Sequence, residues 1–260
     1  MEGIVNAAHE CNANVTACPT SPRNRIGLGI VCPMANEGAD AVKFCKAVLS
    51  RCSGFRTVRF FAIFDRVTTD SSYDQMRELE QIEPRLQVVW APEDRCVVDA
   101  YLRGYQEALV AGCDWILEID AGFSHRPEEI PQFFRAMEEG MDCVFGSRSL
   151  GRFDRSPWRR RLVSQGGTAL TNLLLGTRQT DMTSGFELFT RDTLTEVLKR
   201  GIQSRANFFQ TEIKTYCRRL KFVEVPITYT TDCARISSSA LLDAFKQLLR
   251  LFQLRLKGQL

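Results

Sequence analysis

WILEIDAGFSHRPEEIPQF, residues 115–133, joins a hydrophobic run to an aspartate, a pair of small residues and the start of a helix. Trp115, Ile116, Leu117 and Ile119 read as a strand covered on both faces, the pattern of a parallel α/β sheet. Such sheets hold their ligands just beyond the carboxyl ends of the strands, so Asp120 is expected at the mouth of a site. Ala121 and Gly122 leave room there for a bulky ligand. Ser124, His125, Pro127, Glu128 and Glu129 have the make-up of a helix N-terminus. Taken alone, the stretch fits an ordinary strand-to-helix turn equally well, since Asp is a common turn residue.

Working outward, the same unit recurs. Ile26–Cys32 reads as a strand ended by Pro33, and helical spacing follows through Ala39, Val42, Cys45 and Leu49. Val58–Phe64 is a second strand that ends at Asp65, with Met76, Leu79 and Ile82 marking its helix, and Leu86–Trp90 is a third, followed by the helix VVDAYLRGYQEALVAG. Four strands alternating with helices imply a parallel sheet with right-handed crossovers. Beyond Asp142–Gly146, a strand ending at Ser147 and Arg148, the alternation stops. Residues 149–180 are basic and then helical, MTSGFELF reads as a strand or a turn, Arg191–Arg200 and FFQTEIKTYCRRL are helical, and FVEVPITYT is a strand. The expected organisation is a flexible leader over residues 1–24, one α/β domain over 25–238 and an amphipathic helix over 239–260.

Composition narrows the function class. A net charge of +3 over 260 residues gives no reason to expect a nucleic-acid partner. Ten cysteines without a CxxC pair, together with only two histidines, argue against structural zinc and fit a reducing cytoplasm. No apolar run reaches the roughly 18 to 20 residues needed to span a bilayer.

Seven motifs in order, VCPMANE, DRVTTDSS, EIDAGFSHRPEEIP, VFGSR, TDMTSGFELF, FFQTEI and VEVPITY, resemble glycosyltransferase family 2, the inverting enzymes of GT-A fold, and within it the dolichyl- or polyprenyl-phosphate mannose synthase branch. The resemblance spans about residues 26–250. It implies a Rossmann-like, mostly parallel sheet flanked by helices, with the nucleoside held by Pro33, Ala35, Glu37 and Asp65. Asp120, Ala121 and Gly122 would lie against the diphosphate, Asp120 with a divalent metal, Mg²⁺ or Mn²⁺. Arg148 would neutralise phosphate, Asp181 and Glu212 would face the acceptor side, and Arg235 would sit in a basic loop over the diphosphate. The residue types suit these tasks without the family, because a diphosphate leaving group calls for a hard cation on oxygen ligands and for fixed positive charge. Each also has a plainer reading: Asn36 and Glu37 as a helix start, Asp65 as a turn, Arg148 as a surface ion pair. Gly122 stands where the family has its second Asp, Ala35 where it has an aromatic residue, and Ala240 where it has a lysine.

Two features bear on the acceptor. GRFDRSPWRRR sets Arg152, Arg155, Arg159, Arg160 and Arg161 around Phe153 and Trp158, a composition suited to a phosphate headgroup at a membrane surface. ALLDAFKQLLRLFQLRLKGQL places Leu241, Leu242, Phe245, Leu248, Leu249, Phe252 and Leu256 on one helical face, for core packing, a membrane surface or a membrane-spanning partner. The resulting expectation is transfer of a hexose, foremost mannose from GDP-mannose, to a polyprenyl or dolichyl phosphate by a cytoplasmic enzyme, peripheral on the membrane face. Transfer to a soluble acceptor and a catalytically silent nucleotide-binding scaffold are the alternatives.

Overall fold

Eight residues, Gly27–Met34, form β1, an interior strand of the sheet that is buried along nearly its whole length, as the uninterrupted run GLGIVCPM requires. The structure is a computed structural model describing residues 22–154, 158–230 and 238–260. β1 is followed by α1 (Asp40–Ser50), β2 (Thr57–Phe64), α2 (Ser72–Glu80), β3 (Leu86–Trp90), α3 (Val97–Val110) and β4 (Trp115–Glu118). Then come α4 (Ile130–Glu138), β5 (Cys143–Asp154), α5 (Trp158–Leu175), β6 (Glu187–Thr190), α6 (Arg191–Arg200), α7 (Phe208–Tyr216), β7 (Phe222–Thr230) and α8 (Ser238–Leu256). The strand order is β3-β2-β1-β4-β6-β5-β7. All pairings are parallel except those of β6, which runs antiparallel to both β4 and β5.

One core lies on the sheet face covered by α1, α2 and α4, the other beneath α3, α6 and α7. α3 approaches β1 through Gly104, where a Cβ would lie 2.3 Å from Val31 Cγ1. Every cysteine among the described residues is a free thiol, most of them buried in these cores.

Three boundaries differ from the sequence reading. β1 runs through Pro33 to Met34, because the strand continues along β2 after its pairing with β4 has ended at Val31. β4 stops at Glu118, which pairs with Glu187 of β6, so Asp120 lies two residues past the strand rather than at its last position. β5 does not end at Ser147 but shifts register and continues beside β7 to Asp154, with Gly151 packed so closely on Ile227 that a Cβ would meet its carbonyl oxygen at 2.1 Å.

Residues 1–21 of the expected leader lie outside the described residues. Its last residues are part of the folded body: Arg23 pairs with Glu138 at 2.7 Å and packs over the rings of Phe55 and Phe134. α8 divides along its length. Leu248 and Leu251 are buried beside Leu175, whereas Leu241, Leu242 and Phe245 are exposed. No helix among the described residues is long and apolar enough to cross a membrane.

Candidate active site

Past β4 the chain turns sharply, with Gly122 and Phe123 both in the left-handed region at φ 68° and 59°. Glycine is required at the first of these. A Cβ on Gly122 would stand 2.6 Å from Glu37 Oε2, so Glu37 fills the space that a second aspartate would need. The turn presents Asp120, whose side chain is 36% exposed. Tyr101 of α3 donates its hydroxyl to Asp120 Oδ1. The Asp120 backbone N–H donates to His125 Nδ1 at 3.1 Å, which assigns the ring proton to Nε2 and makes the imidazole neutral. Burial pushes His125 down to about 4, with the nearby Asp120 carboxylate opposing and Arg148 adding to the effect. Its ring stacks on Phe186 at 4.9 Å and leans on Tyr229 at 5.1 Å, so the turn is clamped to β7.

The residues expected to hold the nucleoside, Pro33, Ala35, Glu37 and Asp65, fall at the carboxyl ends of β1 and β2, the adjacent parallel strands. Asn36 ties the two loops together: its Oδ1 accepts from the Thr69 and Asp70 backbone N–H groups, and its Nδ2 donates to the Val67 carbonyl. Asp65 Oδ1 accepts from the Val67 N–H at 2.8 Å, the turn role that was its plainer reading. Burial raises the Glu37 carboxyl, and Asp70, Asp120 and Asp40 add to the rise. Among the described residues no three metal-binding side chains converge. The crowding of negative charge at Glu37 and Asp120 nevertheless fits a divalent cation completed by diphosphate oxygens and water, because Mg²⁺ commonly takes only one or two protein carboxylates. Asp120 and Glu37 are the residues that would hold it.

Across the same cavity region, Arg148 and Asp181 form a buried pair, with Nε–Oδ2 and Nη2–Oδ1 both at 2.7 Å. Arg148 also donates to Thr183 Oγ1 and lies over the Tyr229 ring at 5.5 Å. Burial alone would raise the Asp181 carboxyl, but the Arg148 hydrogen bonds and charge, with Lys214 behind, hold it well below the ordinary range. Asp181 therefore backs Arg148 instead of facing an acceptor. Glu212 also departs from expectation. Fully buried, it accepts from the Ser204 N–H and hydroxyl at 2.9 and 2.6 Å and from Tyr216, and it pairs with Arg250 of α8. It anchors α8 and the Gln203–Ser204 loop before α7, and the cavity at Asp120 does not reach it. Arg155 and Arg235, and the side chains of Phe153, Trp158, Arg159, Arg160 and Arg161, lie outside the described residues.

Asp120 and Arg148 come together in a polar cavity of about 150 Å³, with Tyr101, His125, Gln210 and Tyr229 among its walls. A second cavity, of about 310 Å³ and mostly apolar, runs between α5, α7 and α8 along Leu170, Met182, Phe208, Leu241, Phe245 and Leu248. Arg148, Thr183 and Asn207 line both. Beneath the polar cavity, Glu118 and Glu187 lie side by side on β4 and β6, both fully buried. Glu118 accepts from Tyr105 and Gln210, and Glu187 lies 3.0 Å from Lys214 Nζ. Tyr101 and Gln210 line the cavity although no sequence motif singles them out. The signal for the first was present, since Tyr101 and Tyr105 share one face of a buried helix and their hydroxyls need partners there.

Comparison with known proteins gives concordant matches. The model of Glycosyl transferase family 2 matches residues 29–198. The undecaprenyl-phosphate mannosyltransferase of Micrococcus luteus is 30% identical over 171 residues, covering 64% of this chain and 70% of that protein. The polyprenol monophosphomannose synthase of Mycolicibacterium smegmatis is 33% identical over 135 residues, 50% of this chain and 51% of its own length. Among solved structures, glucosyl-3-phosphoglycerate synthase from Mycobacterium tuberculosis in complex with UDP superposes with a TM-score of 0.62 at 16% identity, covering 88% of this chain and 80% of that one. The same enzyme with Mn²⁺, UDP and phosphoglyceric acid gives 0.61 at 17% identity, covering 88% and 78%. At these identities the structural likeness speaks to the fold.

Proposed function

Because the chain belongs to glycosyltransferase family 2 and has the GT-A fold, we propose that it moves a hexose, mannose from GDP-mannose in the first instance, onto the phosphate of a polyprenyl or dolichyl phosphate. The observation that carries this reading is the apolar cavity that meets the polar one at Arg148. An acceptor with its phosphate at Arg148 and its isoprenoid chain between α5 and α8 would bring an anionic oxygen to the cavity that Asp120 lines. Two relatives are named for transfer of mannose to such lipids.

The chemistry agrees. Direct displacement forms a bond between an acceptor phosphate oxygen and the anomeric carbon, and breaks the bond from that carbon to the nucleoside diphosphate, inverting the centre. An acceptor phosphate is already ionised at neutral pH and needs no general base. Among the described residues, Asp120 is the one carboxylate lining the polar cavity, and Asp181 and Glu212 are both committed to other partners. Arg148, locked by Asp181, presents a fixed positive charge where phosphate oxygens gather. A divalent cation held by Asp120 and Glu37 would supply neutralisation of the departing diphosphate. Exposed Leu170 and Leu173 of α5, with Leu241, Leu242 and Phe245 of α8, form an apolar face beside the groove suited to contact with a membrane on its cytoplasmic side.

The test is a donor screen with GDP-mannose, UDP-glucose and UDP-N-acetylglucosamine plus Mg²⁺ or Mn²⁺, with and without a short polyprenyl phosphate, measuring released nucleoside diphosphate. Release from GDP-mannose that requires the lipid phosphate is the expected result. Release indifferent to the lipid would move the assignment to a soluble acceptor, and donor binding without release to a silent scaffold.

A further inference from the structure

Ser184 and Gln210 line the 150 Å³ cavity, and each carries a buried side-chain oxygen, Oγ and Oε1, that has no hydrogen-bond partner. Their side chains belong to residues only 2% and 4% exposed. Such groups are costly to leave unpaired, and a folded chain tolerates them most readily where a ligand completes them. The surrounding structure fixes their orientation. Both oxygens of Glu118 accept hydrogen bonds, one from Tyr105 and the other from Gln210 Nε2, so the Gln210 amide is held with its nitrogen toward Glu118 and its oxygen away from it. Gly185 makes this reach possible, because a Cβ there would stand 2.8 Å from Gln210 Nε2 and 3.2 Å from Glu118 Oε1. Lys214 Nζ holds the Ser184 carbonyl at 2.8 Å from the other side. The cavity lining thus includes a serine hydroxyl and a glutamine amide oxygen, both neutral and without a partner.

We infer that Ser184 and Gln210 bind hydroxyl groups of the transferred hexose, and that Glu118 is the positioning residue that sets the Gln210 amide. This rests on the reading of the cavity as the donor-sugar site. A hexose ring carries hydroxyls that both donate and accept, so the Gln210 oxygen accepts from one, while the Ser184 hydroxyl donates to or accepts from another. Nucleoside and diphosphate lie on the Glu37, Asp65 and Asp120 side and do not enter this contact. The two residues therefore govern which hexose is used and leave nucleotide affinity alone.

The experiment compares wild type, Ser184→Ala, Gln210→Leu and Glu118→Gln on GDP-mannose and its 2-, 3-, 4- and 6-deoxy analogues. It measures kcat/KM for transfer and, separately and without acceptor, binding of each nucleotide sugar and of GDP. Wild type is expected to reject the analogues lacking the bound hydroxyls by roughly 10- to 100-fold. Ser184→Ala and Gln210→Leu should each lose that discrimination at one hydroxyl and keep it at the others, with GDP affinity unchanged. Glu118→Gln should relax only the position lost in Gln210→Leu, a pattern that a merely structural role would not produce. Ser184→Ala removes a single atom and leaves the fold secure, so it decides the matter if Gln210→Leu folds poorly. Unaltered discrimination in both Ser184→Ala and Gln210→Leu, or GDP binding weakened as much as nucleotide-sugar binding, would overturn the inference. Failure of the lipid phosphate to accept the sugar would sink the acceptor assignment alone, since the binding comparison needs no acceptor.

Discussion

Asp181 grips Arg148 at two points and from its backbone as well: its carboxylate accepts from the Arg148 Nε, Nη2 and main-chain N–H, at 2.7, 2.7 and 3.0 Å. Neither side chain is more than a tenth exposed. A guanidinium free to swing would pay orientational entropy each time a phosphate arrived. Held in this fork it is preorganised, the condition under which fixed charge contributes most to a transition state. Asp181 therefore acts on the cavity only through the arginine it holds.

Replacing Asp181 tests that relationship. Asp181→Asn leaves a buried guanidinium without its counter-charge, and breaking a buried pair in this way costs about 3–5 kcal/mol. The variant should unfold at correspondingly lower denaturant, measured by chemical denaturation. Where it remains folded, transfer should fall by about 100-fold or more in kcat, on the scale of losing one preorganised electrostatic partner. Retained kcat in a folded Asp181→Asn would show that Arg148 needs no such anchor.

Acid should destabilise the protein in two stages. The His125 folded value, about 4, lies below its ordinary 6.5, so between these the unfolded chain binds the extra proton and stability rises with pH. The contribution is complete above pH 6.5 and is lost as pH falls to about 4, amounting to about 3 kcal/mol. Asp181, held below its ordinary value, contributes stability that is intact above roughly pH 4 and fades only at stronger acid. His125→Asn keeps an acceptor for the Asp120 N–H but cannot titrate, so the difference in unfolding free energy between pH 7 and pH 4.5 should shrink in the variant. An unchanged difference would remove His125 from the first stage.

The parts of this architecture that were legible in the sequence are those governed by local pattern. Leu86–Trp90 and Arg191–Arg200 fall where period and flanking residues put them, because buried strands and amphipathic helices declare themselves over a few residues. The insertion of β6 between β4 and β5 was hidden, since ELFT has the same composition in either direction and its neighbours are distant in the chain. Asp120 stands out in the sequence because a carboxylate past a buried strand is conspicuous, and it lines the polar cavity. Glu212 was misplaced for the opposite reason: on a helix of mixed character nothing local distinguishes a carboxylate facing a ligand from one capping the Gln203–Ser204 backbone and holding Arg250. Gln210, two residues earlier, was passed over because its importance arises from Glu118 on a strand 92 residues away.

Gly122 supplies a test of the metal reading. Restoring the family's second acid with Gly122→Asp puts a side chain at φ 68° and drives its Cβ toward Glu37 Oε2. The left-handed conformation costs about 1–2 kcal/mol in a residue with a Cβ, and Glu37 must move away. If Glu37 and Asp120 together hold the cation, Gly122→Asp should bind Mn²⁺ in the presence of nucleoside diphosphate no more tightly than wild type, and Glu37→Gln should bind it about ten-fold more weakly, both followed by calorimetric titration. Tighter Mn²⁺ binding by Gly122→Asp would mean that the site lacks a ligand which Glu37 does not supply.

The apolar groove proposed for the acceptor lipid can be closed without touching the cavity at Asp120. Ala244 of α8 lines the apolar cavity between α5 and α8 and is absent from the polar one, so Ala244→Trp fills a large part of a volume of about 310 Å³. An isoprenoid chain seated there contributes binding in proportion to the apolar area it buries, about 25 cal/mol per Å². The substitution should therefore raise KM for a long polyprenyl phosphate by ten-fold or more and change donor affinity little. Shortening the lipid should have the same direction of effect on wild type and almost none on the variant, because the contact has already been lost. Equal chain-length dependence in the two proteins, measured as kcat/KM over a series of acceptors, would place the lipid tail elsewhere on the surface and leave this groove without a substrate.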